Sequence, residues 1–527
     1  MIRRILKLTI VFSPVVVLYP LHLLTWRIVV GRNNDENNDT VTDAHDLALN
    51  SISLNDSSSL KPIGWYYQLC LYSVEYSGAA CIKIMQWAGS RPDMFGHNFC
   101  AVFSKLQDST KPHSWKYTKK AMKDAYGENW EEKVKLGQND ILGSGCIGQV
   151  YKGVIFDDND ESTSDIDDKH PVAVKVMHPN VENDIDADLD ILRLTVRILE
   201  HMNIGPVKDL KWLNLPGFIE EMATMLKIQL DLRTEGEHLI QFNKNFGCDG
   251  DENDKKYQSI VFPKLIQEYP PTKHVLMETF CEGQPIMDFI RTNKADQKLL
   301  TTMCTEAIKA VCQMIFIDNF THGDLHPGNF FFLSFLVTDN IFHWLLYFKK
   351  IRILDVGITT VHSESDHKLI SDVLAAFIRC DGRKAGRSMI DDSNTRLESI
   401  GDHSVDAEKF IDRMEQLTIK AQGENYFMEH LGNYISHICQ CAATHHVMIN
   451  QAFISAALAV KVQEGIALAL DPSIEIWKIA IPIIMEGERK HGRAAERAKE
   501  ILGFDRFVGW LTGNKNDDDK KDKAKDH

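Results

Sequence analysis

The chain has 527 residues, an apolar fraction of 44%, a charged fraction of 25% and a formal net charge of −15 at pH 7. This composition is ordinary for a globular protein, and the length allows one large core or two to three smaller ones. The acidic balance argues against a broad nucleic-acid surface, which needs a basic face, so no nucleic-acid partner is expected.

Eleven cysteines without a C-x-x-C pair indicate neither a zinc ribbon nor a disulfide framework. One cluster, close to position 440, leaves a metal site open. Its spacing fits no familiar site, and a buried helix with free thiols explains it as well. Its members are His437, Cys439, Cys441, His445 and His446.

The first 32 residues are basic at their start and then mainly apolar. Arg3, Arg4 and Lys7 precede an apolar run over 8–26, and the segment holds no acidic residue. Such a run can just span a bilayer as a helix, whereas a secretory signal would have a shorter apolar core and a small-residue cleavage site. The pattern predicts mitochondrial targeting with membrane association, and a signal anchor for another compartment is the alternative.

Strand patterns with one helix, followed by a helical half, predict an α+β fold with two lobes. The cleft between two lobes is a common place for ligands. The predicted organisation is a targeting and possible transmembrane segment over 1–32, a disordered linker over 33–62, a helical extension over 63–138, a small β-rich lobe over 139–283, a helical lobe over 284–505 and a polar tail over 506–527.

The glycine turn "GSGCIGQV" matches G-x-G-x-x-G-x-V at Gly143, Gly145, Gly148 and Val150. Glycines let the backbone approach a polyphosphate with N–H groups turned toward it. Alone the match is weak, because tight hairpins need glycine for steric reasons. A dinucleotide-binding fold needs a helix after the turn, and "QVYKGVIF" alternates like a strand instead.

Lys175 lies inside the apolar strand "VAVKV", where a cation is costly unless it is paired or solvated. It could simply extend into water from an edge strand. A lysine that holds nucleotide phosphates and is held by a carboxylate on a neighbouring helix explains its position better. The candidates are Asp231 and Glu235, which are four residues apart and would share one helix face.

The loop "THGDLHPGNF" carries the strongest signal. Asp324 and Asn329 have the spacing of a kinase catalytic loop, and "IRILDVG" puts Asp355 after an apolar strand and before a glycine. Phosphoryl transfer needs magnesium to neutralise phosphate charge and a carboxylate to orient the acceptor hydroxyl. We assign Asp324 to the hydroxyl and Asn329 with Asp355 to the metal. The ordered set predicts a kinase-like site that uses ATP and Mg²⁺.

The stretch after Asp355 argues against a protein substrate. A helical pattern begins within about eight residues, with Ser363 as its cap, and A-P-E is absent. Without an activation segment a protein kinase cannot present a peptide in the usual way. The acceptor is therefore expected not to be a protein chain.

These residues together resemble the UbiB/aarF-domain family of atypical kinases over roughly 65–480, and most closely the branch called aarF-domain-containing kinase two. "CIKIMQWAGSRPDMF" resembles the family's Lys-x-Gly-Gln element, which places Lys83 and Gln86 at its signature positions. "LDLRTEG" resembles its acidic helix. "HVLMETFCEG" resembles its hinge, with Met277 to Phe280 near the adenine and Glu278 among the nucleotide-binding residues.

The resemblance implies a protein-kinase-like fold with an N-terminal helical extension, and binding of ATP and Mg²⁺. It also implies a place at a mitochondrial membrane, the inner one by expectation, and a role in ubiquinone biosynthesis or lipid metabolism. Members of the family look like lipid-linked ATPases or small-molecule kinases rather than protein kinases. Implied partners are a membrane lipid or ubiquinone precursor and other proteins of ubiquinone biosynthesis.

The chain departs from the family pattern at several positions. Met85 replaces the signature glycine, so that element is expected to pack differently. Gln229 stands where the first glutamate of the acidic helix is expected, which makes Glu235 the preferred partner of Lys175. A glycine turn replaces the alanine-rich loop, so the nucleotide preference is expected to be closer to that of ordinary kinases.

The segment over 330–350 separates Asn329 from Asp355 by 26 positions, and a strand-turn-strand normally spans this gap in fewer. A second membrane span is disfavoured, because it would pull two ligands of one metal apart. The expectation is a tolerated loop insertion or an error in the coding sequence.

Two other functions stay open at this point. A soluble small-molecule kinase of the aminoglycoside or choline type shares a loop like "HGDLHPGN", although it would lack the Lys83–Gln86 extension and the apolar N-terminus. A catalytically silent nucleotide-binding scaffold is the non-enzymatic alternative.

Overall fold

The computed structural model describes most of the chain. The predicted linker and the polar tail lie outside the described residues, except for positions 33–34 and 61–62, as do Cys439 and His446 of the His/Cys cluster. The described residues are 2–34, 61–89, 99, 102–103, 106, 112–156, 169–201, 215–248, 259–294, 296–338, 345–378, 381–398, 406–422, 437–438, 441–442, 444–445 and 447–493.

The chain folds into two compact units that each draw on several stretches of sequence. The first comprises Met1–Gly127, Gly137–Tyr151 and Lys175–Leu230. The second comprises Glu128–Leu136, Lys152–Val174 and Asp231–His527.

The helices of the first unit are α1 (Ile2–Asn34), α2 (Lys61–Ser77), α3 (Ala79–Gly89), α4 (Trp115–Tyr126), α6 (Val181–His201) and α7 (Leu215–Ile228). A positive φ of 131° at Gly78 makes the break between α2 and α3, a conformation that glycine adopts at little cost. Apolar side chains of α2 and α3 form a buried cluster with the segment that follows them. The cluster consists of Leu71, Val74, Ile82, Phe103 and Leu106.

Helix α1 packs against the rest of the first unit. The Arg4 guanidinium pairs with the Asp188 carboxylate of α6 at 2.5 and 2.6 Å, and both side chains are buried. The Tyr66 hydroxyl of α2 donates to the Val15 carbonyl at 3.1 Å, and the His22 ring stacks on Tyr66. Many apolar side chains of α1 are exposed. By length and composition alone, its stretch Arg3–Leu23 could cross a membrane. A second such stretch, Gln297–Ile317, is mostly buried in the second unit.

A four-stranded sheet carries the glycine turn. Its strands are β1 (Val134–Ser144), β2 (Gly148–Phe156), β3 (Lys169–Met177) and β5 (Val275–Thr279), in the order β1-β2-β3-β5. Burial along β2 alternates, as its period-two sequence predicts. The short helix α5 (Trp130–Lys133) precedes β1, which begins five residues before the predicted lobe boundary at 139.

The second unit is mainly helical. Helix α10 shows how its sequence builds the core: Asp296 caps it through the Leu299 amide at 2.9 Å, and its apolar residues recur every three to four positions and are buried. Its helices are α8 (Leu232–Asn245), α9 (Ile286–Asn293), α10 (Gln297–Cys312, continued by a π-helical turn over Gln313–Ile317), α11 (Glu364–Ile378), α12 (Gly382–Glu398), α13 (Ala407–Gln422), α14 (Gln451–Leu470) and α15 (Ile476–Lys490).

Two small sheets complete the second unit. One has the order β4-β9-β8-β6, from β4 (Ile260–Val261), β6 (Gln284–Pro285), β8 (Phe330–Thr338) and β9 (Leu345–Ile353). The other pairs β7 (Thr321–His322) with β10 (Thr359–Thr360).

The segment over 330–350 forms mostly strand rather than loop. Strands β8 and β9 pair antiparallel from Phe330↔Ile353 to Thr338↔Leu345, so the extra residues lengthen both arms of a hairpin. The base of the hairpin is buried at Phe330 and Ile353. Since the arms return to the same point, the added length does not separate the residues that flank them.

Candidate active site

The loop after β7 is fixed by its own polar groups. The Asp324 amide donates to Nδ1 of the buried His322 at 3.2 Å, and Asn329 Nδ2 donates to the Asp324 carbonyl at 2.9 Å. Pro327 opens a single 3₁₀ turn that ends at Asn329, a position that suits proline because its missing N–H has no helical partner. Asp324 and Asn329 are therefore held together, as their spacing predicts.

The hairpin brings Asp355 to the same place. The Leu354 amide donates to the Asn329 carbonyl at 3.0 Å, and His322 Nε2 donates to the Leu354 carbonyl at 3.1 Å. Asp355 itself has a φ of 55°, a left-handed conformation that is uncommon outside glycine and clusters at functional sites. Of the two predicted metal ligands, Asn329 thus accepts this backbone hydrogen bond and Asp355 directly follows its donor, Leu354.

Helix α8 places a buried carboxylate beside Asp355. Glu235 is 5% exposed, and a Cβ built on Gly357 would lie 3.3 Å from its Oε2 and 3.4 Å from Oδ1 of Asp355. Asp231, its predicted companion on one helix face, instead caps the helix through the Arg233 amide at 3.0 Å. The Arg233 guanidinium also bonds it and holds the pKa of Asp231 below its usual range. Of the two candidates, Glu235 alone lies within the helix.

Two histidines that sequence reasoning left without a role hold the backbone around Asp355. His322 Nε2 donates to the Leu354 carbonyl, and His238 Nδ1 donates to the Val356 carbonyl at 2.8 Å. Burial lowers the pKa of both imidazoles. A signal existed for each: His322 lies in the quoted loop, and His238 is three residues after Glu235 on the same helix.

The glycine turn belongs to the first unit. The Gly145 amide donates to the Gly148 carbonyl at 2.9 Å, and no glycine of the motif has a positive φ. A Cβ at Gly148 would meet the Val176 carbonyl oxygen at 3.0 Å, whereas Gly143 has open space and Gly145 has only a distant contact. Strand packing explains Gly148, and the open space at Gly143 and Gly145 is what close approach of a phosphate requires.

Lys175 also belongs to the first unit. It is half-buried on β3 between the fully buried Val174 and Val176, so it points away from their face of the strand. Glu235 and Glu278, like the catalytic loop, belong to the second unit. The pairing of Lys175 with Glu235 and the placing of Glu278 near an adenine stay predictions.

The Lys83–Gln86 element lies on α3 of the first unit, where Lys83 is half-buried. Gln86 Nε2 donates to the Leu106 carbonyl at 2.8 Å. Met85, which replaces the family's glycine, packs against the apolar cluster of α2 and α3, and so does Cys146 of the glycine turn. The helical extension and the glycine turn thus share one cluster.

A chain of hydrogen bonds beneath the turn was not predicted. His178 Nε2 donates to the Gly145 carbonyl at 2.9 Å, His113 Nδ1 lies 2.7 Å from His178 Nδ1, and His113 Nε2 lies 2.9 Å from the Thr118 hydroxyl. Because a carbonyl only accepts, the chain runs in one direction with both imidazoles neutral. Burial and the neighbouring His178 lower the pKa of His113 to about 4.

The donors around the catalytic loop fit magnesium. Asn329 Nδ2 donates to the Asp324 carbonyl, so Oδ1 is the side-chain atom of Asn329 that could bind a metal. Asp355 adds a carboxylate, and Mg²⁺ prefers such hard oxygen donors. Among the described residues there is no group of three or more His, Cys, Asp or Glu that could hold a metal. Cys439 and His446 of the His/Cys cluster lie outside the described residues.

Comparison with known proteins agrees with this geometry. The model of the ABC1 atypical kinase-like domain matches residues 105–389, more than half of the chain. The mitochondrial ABC1 family protein YPL109C of Saccharomyces cerevisiae is 26% identical over 92% of this chain and 74% of its own length. Its counterpart C21C3.03 of Schizosaccharomyces pombe is 28% identical over 92% and 71%.

The chain is also similar to more distant proteins. The probable protein kinase UbiB of Vibrio parahaemolyticus is 24% identical over 81% of this chain and 71% of its own. The solved structure of Rv3197 with erythromycin, from Mycobacterium tuberculosis, is 19% identical with a TM-score of 0.46, over 82% of this chain and 98% of that one. Because the domain model matches more than half of the chain, the chain belongs to the ABC1 family of atypical kinase-like proteins, with UbiB among its relatives, and has the α+β, protein-kinase-like fold that its sequence predicts.

Proposed function

We propose that the protein binds ATP with Mg²⁺ and catalyses phosphoryl transfer or ATP hydrolysis. The observation that carries the proposal is the joining of Asp324, Asn329 and Asp355 by the Asn329–Asp324 and Leu354–Asn329 hydrogen bonds, at 2.9 and 3.0 Å. Phosphoryl transfer asks little covalent chemistry of a protein and depends on positioning and charge stabilisation. A carboxylate beside two oxygen donors for magnesium meets that demand.

The proposed roles follow from the geometry of each side chain. Asn329 Oδ1 and the Asp355 carboxylate would hold magnesium, which supplies neutralisation of phosphate charge when bound. Asp324 is half-buried with its backbone fixed, so its carboxylate is positioned to orient an acceptor hydroxyl or water and take its proton.

The other nucleotide contacts are proposed for residues that the sequence assigns to them. Gly143 and Gly145 leave open space at which a phosphate could approach the backbone closely. Lys175 would neutralise phosphate charge, with Glu235 as its partner. Glu278 lies on β5, which the family resemblance assigns to the hinge. Two residues later, the Phe280 amide donates to the Pro171 carbonyl at 3.1 Å.

We further propose action at a mitochondrial membrane, on or under the control of a lipid or ubiquinone precursor. Two relatives are named as mitochondrial and another as UbiB. The exposed apolar side chains of α1 support membrane association, since a contiguous apolar patch of this kind marks a protein or membrane contact. The acceptor is expected to be a small molecule or water because the chain after Asp355 offers no peptide platform.

The decisive test is the substitution Asp324→Asn. We expect turnover to fall by about 10²-fold or more, because general base catalysis contributes about 10²–10⁴-fold. Nucleotide affinity should stay close to wild type, because the amide keeps the shape of the side chain. ATP hydrolysis by the purified chain is measured with and without membranes containing a ubiquinone precursor.

The matched control is Asp288→Asn, which changes an exposed carboxylate on α9 of the same unit. Turnover by Asp324→Asn equal to that of the control would remove Asp324 from the mechanism. Rescue of deficient cells by Asp324→Asn would favour a nucleotide-binding scaffold. Full release from membranes by salt, with phosphorylation of a soluble alcohol, would favour a soluble small-molecule kinase.

A further inference from the structure

Two histidines donate hydrogen bonds to the backbone on either side of Asp355. His322 Nε2 donates to the carbonyl before Asp355 at 3.1 Å, and His238 Nδ1 donates to the carbonyl after it at 2.8 Å. Between these two anchors the Asp355 φ of 55° departs from the conformations that aspartate ordinarily prefers. A left-handed residue of this kind persists where its surroundings over-determine it.

His238 can donate to the Val356 carbonyl in only one tautomer. Its Nε2 lies 2.9 Å from the Thr359 hydroxyl. Because a carbonyl only accepts, Nδ1 must carry the hydrogen, and in the neutral ring Nε2 then accepts from Thr359. Thr359 thus selects the tautomer that holds the segment, much as outer partners select the tautomer of a metal-bound histidine.

The helix that carries His238 also carries Glu235. The two are three residues apart on α8, so they project from neighbouring positions of one face. Glu235 lies beside Gly357 and Asp355, and His238 bonds Val356 and Thr359. One helix therefore contacts the segment over 355–359 at several successive residues, and a movement of α8 would reach Asp355 through them.

We infer that His238 is a positioning residue for Asp355: with Thr359 fixing its tautomer, it holds the left-handed backbone that presents the Asp355 carboxylate to magnesium. This inference rests on the proposed function for its metal-binding consequence. Its structural part, the anchoring of the segment over 354–360 by α8, stands without it. His238 touches no substrate in this role and acts only through the backbone.

Four substitutions, three at His238 and one at Thr359, distinguish the hydrogen bond to Val356 from the bulk of the ring. His238→Leu removes the donor. His238→Asn keeps a nitrogen two bonds from Cβ, where Nδ1 lies, and should preserve the bond to Val356. His238→Gln moves the nitrogen one bond further, toward Thr359, and serves as the matched amide control. Thr359→Val leaves the ring but removes the group that selects its tautomer.

The first measurement is hydrogen–deuterium exchange of peptides covering 354–360 in the full-length chain, which needs neither nucleotide nor activity. We expect faster exchange there in His238→Leu and His238→Gln, a smaller increase in Thr359→Val and near wild-type exchange in His238→Asn. Peptides of α10 provide the internal reference for global stability. Unchanged exchange over 354–360 in His238→Leu would overturn the inference, whatever the protein catalyses.

The second measurement is the Mg²⁺ concentration that half-saturates nucleotide binding. We expect it to rise about 10-fold or more in His238→Leu, the usual size of an outer-partner effect on metal affinity, and by less than about 3-fold in His238→Asn, whose donor is retained. Nucleotide binding in EDTA should not change. Faster exchange without a change in the Mg²⁺ requirement would overturn the role toward the metal.

Measurements on the wild-type chain distinguish the metal-directed role of His238 from its structural role. Nucleotide binding that does not depend on Mg²⁺ would overturn the proposed use of magnesium, and with it the metal-directed role of His238. The exchange data would still decide whether His238 anchors the segment. If His238→Leu and His238→Asn raise the exchange rate and the Mg²⁺ requirement equally, the ring only fills space and its hydrogen bond does not position Asp355.

Discussion

Gly148 and Gly143 occupy the same turn, yet their surroundings differ. A Cβ at Gly148 would meet the Val176 carbonyl oxygen of β3 at 3.0 Å, whereas one at Gly143 would meet nothing within 4 Å. We expect Gly148→Ala to lower the free energy of unfolding by about 1–3 kcal/mol, as overpacking does. Gly143→Ala should leave it unchanged or raise it by up to about 1 kcal/mol. Urea unfolding of both variants measures the difference.

The same pair separates packing from ligand space. If the space over Gly143 receives a phosphate, Gly143→Ala should weaken nucleotide binding although the protein stays stable. Nucleotide titration of the two variants under native conditions tests this. A Gly143→Ala protein that binds nucleotide as tightly as wild type would show that this glycine has no part in the site.

Residue roles could be predicted where the neighbouring sequence determines them. Asp324 and Asn329 are five residues apart, and the short loop between them lets the Asn329 side chain donate to the Asp324 carbonyl. The partners of the two histidines lie much further along the chain, 32 positions from His322 and 118 from His238. No local pattern predicts a bond over such a separation, so these roles needed the structure.

The β8–β9 hairpin shows the limit of prediction at the scale of an element. Its arms, "FFFLSFLVT" and "LLYFKKIRI", are apolar runs without strict alternation, and short apolar runs do not reveal their partners. The sequence therefore indicated extra length between Asn329 and Asp355 but not its form. The register from Phe330↔Ile353 onward explains why the length is tolerated, since it leaves the base of the hairpin intact.

Helix α1 combines a targeting-like sequence with structural contacts. The sequence shows a basic start and an apolar run, and the structure uses one of those basic residues inside the fold. Arg4 is 8% exposed and its partner Asp188 is 1% exposed. Gly78 lies so close to the Arg4 guanidinium that a side chain there would displace it. These contacts make α1 part of the first unit.

We expect Asp188→Ala to destabilise the protein by about 3–5 kcal/mol, because it leaves the Arg4 charge buried without its partner. A chain that begins after α1 should lose stability for the complementary reason. The matched control is Glu220→Ala, which breaks the more exposed ion pair with Arg193 in the same unit and should have a much smaller effect on stability. Thermal unfolding of the full chain compares them; equal effects would contradict burial of the Arg4 pair.

At the scale of the whole molecule, the sequence predicted the fold class because hydrophobic patterns are local properties. The composition of the two compact units was not predictable, because each gathers several distant stretches of chain. Such a division depends on long-range contacts that single-sequence patterns do not contain.

Each unit carries a histidine whose lowered pKa makes stability depend on pH, and of the two His367 is buried and His113 half-buried. The pKa of His113 in the first unit is lowered to about 4 by burial and His178, and that of His367 in the second unit to about 4 by burial and His491. Unfolded histidines titrate near about 6.5. Below that pH the unfolded chain therefore binds protons that the folded chain does not.

The contribution of these two residues is fully present above about pH 6.5 and is lost as the pH falls toward about 4, by roughly 1–3 kcal/mol for each. We expect the urea concentration at the unfolding midpoint to decrease as the pH is lowered from 7.5 to 5. His113→Asn and His367→Asn should each make this dependence on pH weaker. Met122→Ala, which opens a cavity at a fully buried site, should lower the midpoint at every pH and keep the slope. A slope that both histidine variants retain would show that these imidazoles are protonated in the folded protein.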